Sequence, residues 1–173
     1  MKKFCTLMLV CCLMGSLLSC FAEETMPDFS CIQLNEIMAS NKRSLKTEDG
    51  KSPDWIEIYN NSDEDVNLKG LCLSDGKKTL DKFVFPDWII PARGYVIIFA
   101  SDEEKITETE LFTSFKLSAD GEKVVLSFDG KILDIINFDK QEKDIAYARF
   151  DDAIWKKTDI VTPGAENQFP EME

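Results

Sequence analysis

The chain has 173 residues, 20 of them basic and 32 acidic, with no histidine and a formal net charge of −12. A surface this acidic repels phosphate backbones, which disfavours nucleic acid as a partner, and the lack of histidine removes Ser-His, Cys-His and His-metal chemistry at once. The length fits one domain able to bury a proper core.

At the N-terminus, Lys2 and Lys3 precede an uncharged run from Phe4 to Leu18, which closes on Ser19, Cys20, Phe21 and Ala22 before Glu23 and Glu24. A basic start, a short apolar stretch and small residues at its end are the plan of a cleaved signal peptide, and a spanning helix would need about 20 apolar residues. Two cleavage points compete. Leu17-Leu18-Ser19-Cys20 resembles the lipobox of bacterial lipoproteins, which makes residues 1–19 the signal and Cys20 the acylated first residue. Cleavage after Ala22 would instead leave a secreted protein without lipid. Lipidation is the reading adopted, although Cys5, Cys11 and Cys12 in the same run also allow Cys20 to be one more small residue of a cysteine-rich signal. Acyl chains would hold the protein at a membrane surface, each buried methylene contributing about 0.8 kcal/mol. Loss of Lys2 and Lys3 with the signal takes the formal charge from −12 to −14. Besides Cys20, only Cys31 and Cys72 then remain; export permits a disulfide between them, and two buried free thiols are the alternative.

Residues 20–31 carry acids and Pro27 and little periodicity, so they read as a tether. Residues 32–150 break into short β-type segments: Ile32 to Met38, Trp55 to Tyr59, Val66 to Leu73, Leu80 to Phe85, Tyr95 to Ala100, Lys123 to Phe128, Lys131 to Phe138 and Ile145 to Phe150. Turn residues separate them, among them Asn60-Asn61, Asp75-Gly76, Pro86-Asp87, Asp120-Gly121 and Asp129-Gly130. Short strands at this spacing predict an all-β sandwich or barrel, with residues 151–173 as a closing segment and tail. Only Ser101 to Leu111 has a helix start signal, Ser101 with Glu104 three residues on. Asp129-Gly130 predicts a two-residue type I′ turn, setting Phe128 opposite Lys131, Leu126 opposite Leu133 and Val124 opposite Ile135, with the last two pairs forming one inward apolar patch.

Several blocks together resemble a known family. Leu34-Asn35-Glu36-Ile37-Met38-Ala39-Ser40-Asn41, Asp54-Trp55-Ile56-Glu57-Ile58-Tyr59-Asn60 and Leu68-Lys69-Gly70-Leu71-Cys72-Leu73-Ser74-Asp75 are similar to the opening motifs of bacterial lamin tail domains. The resemblance continues through Phe83 to Pro86, Gly94 to Ser101 and Phe115 to Glu122, and ends with Asp144 to Arg149 and Thr162-Pro163-Gly164-Ala165-Glu166-Asn167. Leu71 stands where the family often has tryptophan, and Phe112 where bacterial members often have histidine. The resemblance implies an immunoglobulin-like antiparallel β-sandwich and an extracytoplasmic module, often attached to enzymes or surface proteins, with no activity of its own established. A fold does not supply a function, so the chemistry has to be sought in the residues.

What remains for chemistry is carboxylates. On strand alternation Trp55, Glu57 and Tyr59 share one face and Ile56 and Ile58 the other, and the isoleucines are the expected core face. An outward Trp-Glu-Tyr stripe would be a candidate binding face for a sugar ring or a protein partner. Glu36 and Glu57 could alternatively form the acid and nucleophile of a glycosidase, or Glu57 could simply bond a neighbouring turn while Trp55 packs against a loop. Asp63-Glu64-Asp65 offers oxygen ligands for calcium but lacks the spacing of a calcium loop, so a solvated acidic turn is expected, as for Asp102-Glu103-Glu104. The resulting expectation is an exported, lipid-anchored, non-enzymatic interaction or structural module of the bacterial envelope, monomeric or weakly associating, with no cofactor, metal or catalytic residue and an unknown protein or glycan partner. The competing reading is a carboxylate-based extracellular glycan hydrolase or a carbohydrate-binding accessory module.

Overall fold

A computed structural model describes residues 27–151 and 154–170. The signal segment 1–19 and Cys20 lie outside these residues.

Among the described residues thirteen strands follow one another: β1 Ile32–Met38, β2 Asp54–Asn60, β3 Val66–Asn67, β4 Cys72–Ser74, β5 Phe83–Val84, β6 Ile89–Ile90, β7 Tyr95–Ala100, β8 Lys105–Ile106, β9 Leu111–Thr113, β10 Gly121–Phe128, β11 Lys131–Asp139, β12 Ala146–Asp151 and β13 Ile154–Thr158. They form a seven-stranded sheet in the order β13-β12-β1-β2-β7-β9-β8, a four-stranded sheet β11-β10-β4-β5 and a small pair β3-β6. The two larger sheets face each other as an immunoglobulin-like, all-β sandwich. Between them lies a core to which one sheet contributes Leu34, Ile37, Ile56, Ile58, Val96 and Ile98, and the other Leu73, Phe83, Val124, Leu126 and Phe138. Ile56 and Ile58 are therefore the core face of β2, as alternation requires.

The sandwich is wider than residues 32–150. Before β1, Phe29 is buried and sets its ring edge-on to Phe128 at 4.9 Å, so the end of the tether belongs to the domain. Beyond residue 150, β13 pairs with β12 at the edge of the large sheet, and Tyr147 stacks on Trp155 at 5.6 Å.

Two local expectations are corrected. Residues 101–111 are not helical: Ser101 Oγ accepts the Glu103 N–H in a turn, Thr107 Oγ1 accepts the Glu110 N–H, and the backbones of Thr107 and Glu110 close a bend between β8 and β9. Hydroxyl side chains offered the backbone local partners that compete with a helix, and β9 instead pairs parallel to β7. In the β10–β11 hairpin, Asp129 and Gly130 do take positive φ, 47° and 70°, and Phe128 does face Lys131. A bulge then intervenes: Ser127 pairs with Ile132, but Leu126 pairs with Asp134 and Val124 with Ile136. Leu133 is the extra residue and is 41% exposed, so Ile136, not Leu133 or Ile135, joins Val124 and Leu126 against the core. The slip brings the Asp134 carboxylate inward, where it accepts the Leu34 N–H at 2.9 Å and pairs with Arg149 at 2.5 Å. Arg149 also donates Nε–H to the Leu34 carbonyl at 2.7 Å, tying β11, β1 and β12 together. Cys31 and Cys72 are free thiols, each half-buried; the Cys72 S–H donates to the Gly70 carbonyl.

Candidate functional site

Glu36 and Glu57 are direct cross-strand partners on β1 and β2, both fully buried. Their neighbourhood depends on a β-bulge. Leu34 pairs with Ile58 and Glu36 with Glu57, so Asn35 is inserted without a partner and reverses the phase of β1. Ile32 and Leu34 point into the core before the bulge, Ile37 and Ala39 after it, leaving Glu36 and Met38 on the outer face of the sheet beside Glu57 and Trp55. On the other side of Glu36 stands Ala148, whose methyl group leaves room for the carboxyl.

The outer face is not open. Segment 159–170 folds back over it and supplies the donors that the carboxylates need. Gly164 N–H donates to Glu57 Oε2 at 2.5 Å, and Asn35 Nδ2 donates to Glu57 Oε1 at 2.7 Å. Thr162 donates from its backbone N–H at 3.3 Å and from its hydroxyl at 3.4 Å to Glu36 Oε2. Asn167 fixes the far end of the segment, its Nδ2 donating to the carbonyls of Arg149 at 2.9 Å and Asn35 at 3.1 Å. Burial raises both acids, Glu36 to about 7 and Glu57 to about 8, against the pull of these hydrogen bonds; the neighbouring Glu36 charge raises Glu57 further.

Trp55, Glu57 and Tyr59 do share a face, but it is not a solvent-exposed platform, which corrects that expectation. Trp55 is fully buried with Met38, Phe99 and Ala146, and is covered by Leu45 and Val161. The loop carrying Leu45 is held by the buried Asn41, whose Nδ2 donates to the carbonyls of Leu45 and Pro53, both at 2.7 Å. Tyr59 is half-buried and stacks on Tyr95 at 4.7 Å. The alternation was legible; the two segments that cover the face are irregular and carry no periodicity.

Exposed apolar surface lies one strand further on. A groove of about 520 Å³ runs between the loop at Leu45 and the connection at Trp88 and Ile89, with Tyr95, Ile97 and Phe99 of β7 along it. Ile89 is 52% exposed. Its only sequence signal was a tryptophan next to Pro86-Asp87, in a turn rather than a strand. The acidic turn after β2 is internally engaged: Asp63 pairs with Arg93 at 2.9 Å, Asp65 accepts the Ala92 N–H at 2.9 Å, and the buried Asn60 donates to the Glu64 carbonyl at 2.7 Å. Among the described residues no group of three or more His, Cys, Asp or Glu side chains is placed to hold a metal ion. Asp102 pairs with Lys116.

Two packed, mostly antiparallel sheets, with Glu36 and Glu57 enclosed beneath the closing segment, define an immunoglobulin-like module. The Lamin Tail Domain family model matches residues 26–140, and the chain belongs to that family. Membership points to a protein-interaction or structural module in a non-enzymatic, immunoglobulin-like family. No curated protein matches the chain.

Proposed function

We propose that this chain is an exported, lipid-anchored, non-enzymatic interaction module of the bacterial cell envelope, with a protein or glycan partner. The single observation that carries the non-enzymatic part is the enclosure of Glu36 and Glu57 beneath Thr162 and Gly164. A retaining or inverting glycosidase needs two carboxylates facing a substrate across a cleft, and here each already accepts hydrogen bonds from the chain itself. Export and anchoring rest on the basic, apolar and small-residue order of residues 1–19 and on Cys20 at its end. The groove along β7 is the surface on which a partner would sit, since Trp88 offers an aromatic anchor beside Ile89.

Two measurements test the reading. Cys20→Ala should move the protein from the membrane fraction to the soluble one; unchanged fractionation with an unacylated N-terminus by mass spectrometry would sink the anchoring. Because Trp88 also packs against the core, the test uses its exposed neighbour as well: Ile89→Asp and Trp88→Ala should each weaken capture of the partner from intact cells by roughly tenfold or more, with Ile89→Asp leaving the thermal midpoint unchanged. Capture that is indifferent to Trp88 would remove the groove from the interface.

A further inference from the structure

A concentration of positive charge stands out at the four-stranded sheet of this acidic chain. Lys77 and Lys78 on the connection from β4 to β5, Lys82 just before β5 and Lys123 on β10 line a common cleft of about 490 Å³. The acid in the lining is Asp75, and the Lys82 ammonium already lies 2.5 Å from its carboxylate. Among the described residues Lys77, Lys78 and Lys123 make no ion pair. Glu122, the neighbour of Lys123, accepts the Ser118 N–H at 2.5 Å, and its carboxyl also interacts with the Lys82 and Asp75 charges.

The connection that carries two of these lysines is held at both ends by buried hydroxyls. Ser74, fully buried, is within hydrogen-bond distance of the carbonyls of Gly76 at 2.7 Å and Thr79 at 2.5 Å and accepts the Gly76 N–H at 3.2 Å. Ser127, also buried, donates to the Leu80 carbonyl at 3.1 Å. The backbone is thus ordered before any ligand arrives, which lowers the entropic cost of binding. Like charges gathered on such a frame repel one another until an anion comes between them, and a multiply charged anion gains most because several ammonium groups act on it together.

We propose that the cleft between Lys77, Lys78, Lys82 and Lys123 binds a phosphate group, supplied either by a soluble phosphate compound or by an anionic lipid headgroup. Thr79 lines the same cleft and can donate its hydroxyl proton to a phosphate oxygen. The site is separate from the groove along β7 and does not depend on the reading of that groove.

The test is a titration of the isotope-labelled protein with inorganic pyrophosphate, followed by amide NMR. Saturable shifts are expected at Gly76, Lys77, Lys78, Thr79 and Lys123, weakening as salt shortens the screening length. Lys77→Glu/Lys78→Glu should weaken binding by roughly tenfold or more, whereas Lys42→Glu/Lys143→Glu, an equal charge change elsewhere, should weaken it by about twofold or less. A sedimentation arm with vesicles of phosphatidylcholine, with and without phosphatidylglycerol, separates the sources: phosphatidylglycerol-dependent sedimentation competed by pyrophosphate supports the headgroup, and pyrophosphate binding without sedimentation supports the soluble compound. Shifts that do not saturate, that spread equally over all exposed lysines, or that survive unchanged in Lys77→Glu/Lys78→Glu overturn the proposal.

Discussion

Two glutamates in the interior of a sheet face need an account of their protonation. Glu36 and Glu57 have folded pKa values raised by burial to about 7 and about 8, from 4.5. A raised folded pKa means that the folded state holds protons that the unfolded chain has released, so these groups support the fold fully below about pH 4.5. Their contribution is lost as pH rises to about 8, the reverse of the usual carboxylate behaviour. Thermal midpoints measured from pH 5 to 8.5 should fall with pH, by an amount corresponding to a few kcal/mol at most. Glu36→Gln/Glu57→Gln should flatten that slope, because an amide has the size of the carboxyl and does not titrate. A slope of equal steepness in the double variant would assign it to other groups. Trp55 gives a second test at this scale. Its indole N–H is buried and finds no acceptor among the described residues, so Trp55→Phe removes no hydrogen bond. It should cost far less than Trp55→Ala, expected at about 3 to 5 kcal/mol from the cavity it leaves; equal losses by chemical denaturation would show that the N–H is satisfied after all.

At the scale of elements, the β10–β11 hairpin separates what a turn motif determines from what tertiary contacts determine. Asp129-Gly130 specified the turn and its first pairs correctly, because a type I′ turn depends on the φ preferences of two residues. The bulge at Leu133 answers a demand from elsewhere, the Leu34 N–H and Arg149, and nothing within residues 121–139 announces it. Its consequence is an inversion of the expected mutational pattern. Leu126→Ala should cost about 2 to 5 kcal/mol and Leu133→Ala less than about 1, since only the former is buried. Asp134→Ala, a surface change on the simple register, should cost about 1 to 3 kcal/mol, since it removes the acceptor of the part-buried Leu34 N–H and one ion pair of Arg149. Ser127→Ala should cost about 1 kcal/mol, since the hydroxyl is buried and bonded to Leu80. Equal losses at Leu126 and Leu133 in equilibrium unfolding would restore the regular register. The longer strands β1, β2, β7, β10, β11 and β12 were legible from their apolar patterns, and β3, β4 and β5 fell on the expected segments 66–73 and 80–85, though as short pieces of them; β6, β8 and β9, too short to show a period, and the edge strand β13 were not.

Across the whole molecule, the seven-stranded sheet needs its cover. One face of that sheet packs on the four-stranded sheet, and much of the other carries Met38, Trp55, Glu36 and Glu57, which open water would reach if residues 159–170 were removed. The candidate site was half legible for the same reason: the residues were found by alternation, while their burial depended on a segment more than a hundred residues away in the chain. Irregular segments are positioned by side-chain hydrogen bonds such as those of Asn167 and Asn41, which leave no periodic trace. On this account Glu36 and Glu57 serve to fasten the closing segment, and the groove along β7 is the surface proposed for a partner. The most direct test is native-state hydrogen exchange at the amides of Thr162 and Gly164, each of which donates to one of the buried carboxylates. The account predicts slow exchange in the unmodified protein, comparable to that of core strands β2 and β7, and a loss of protection by roughly a hundredfold at these two amides in Glu57→Ala while β7 stays protected. Exchange of Thr162 and Gly164 at the rate of an unstructured peptide in the unmodified protein would contradict it.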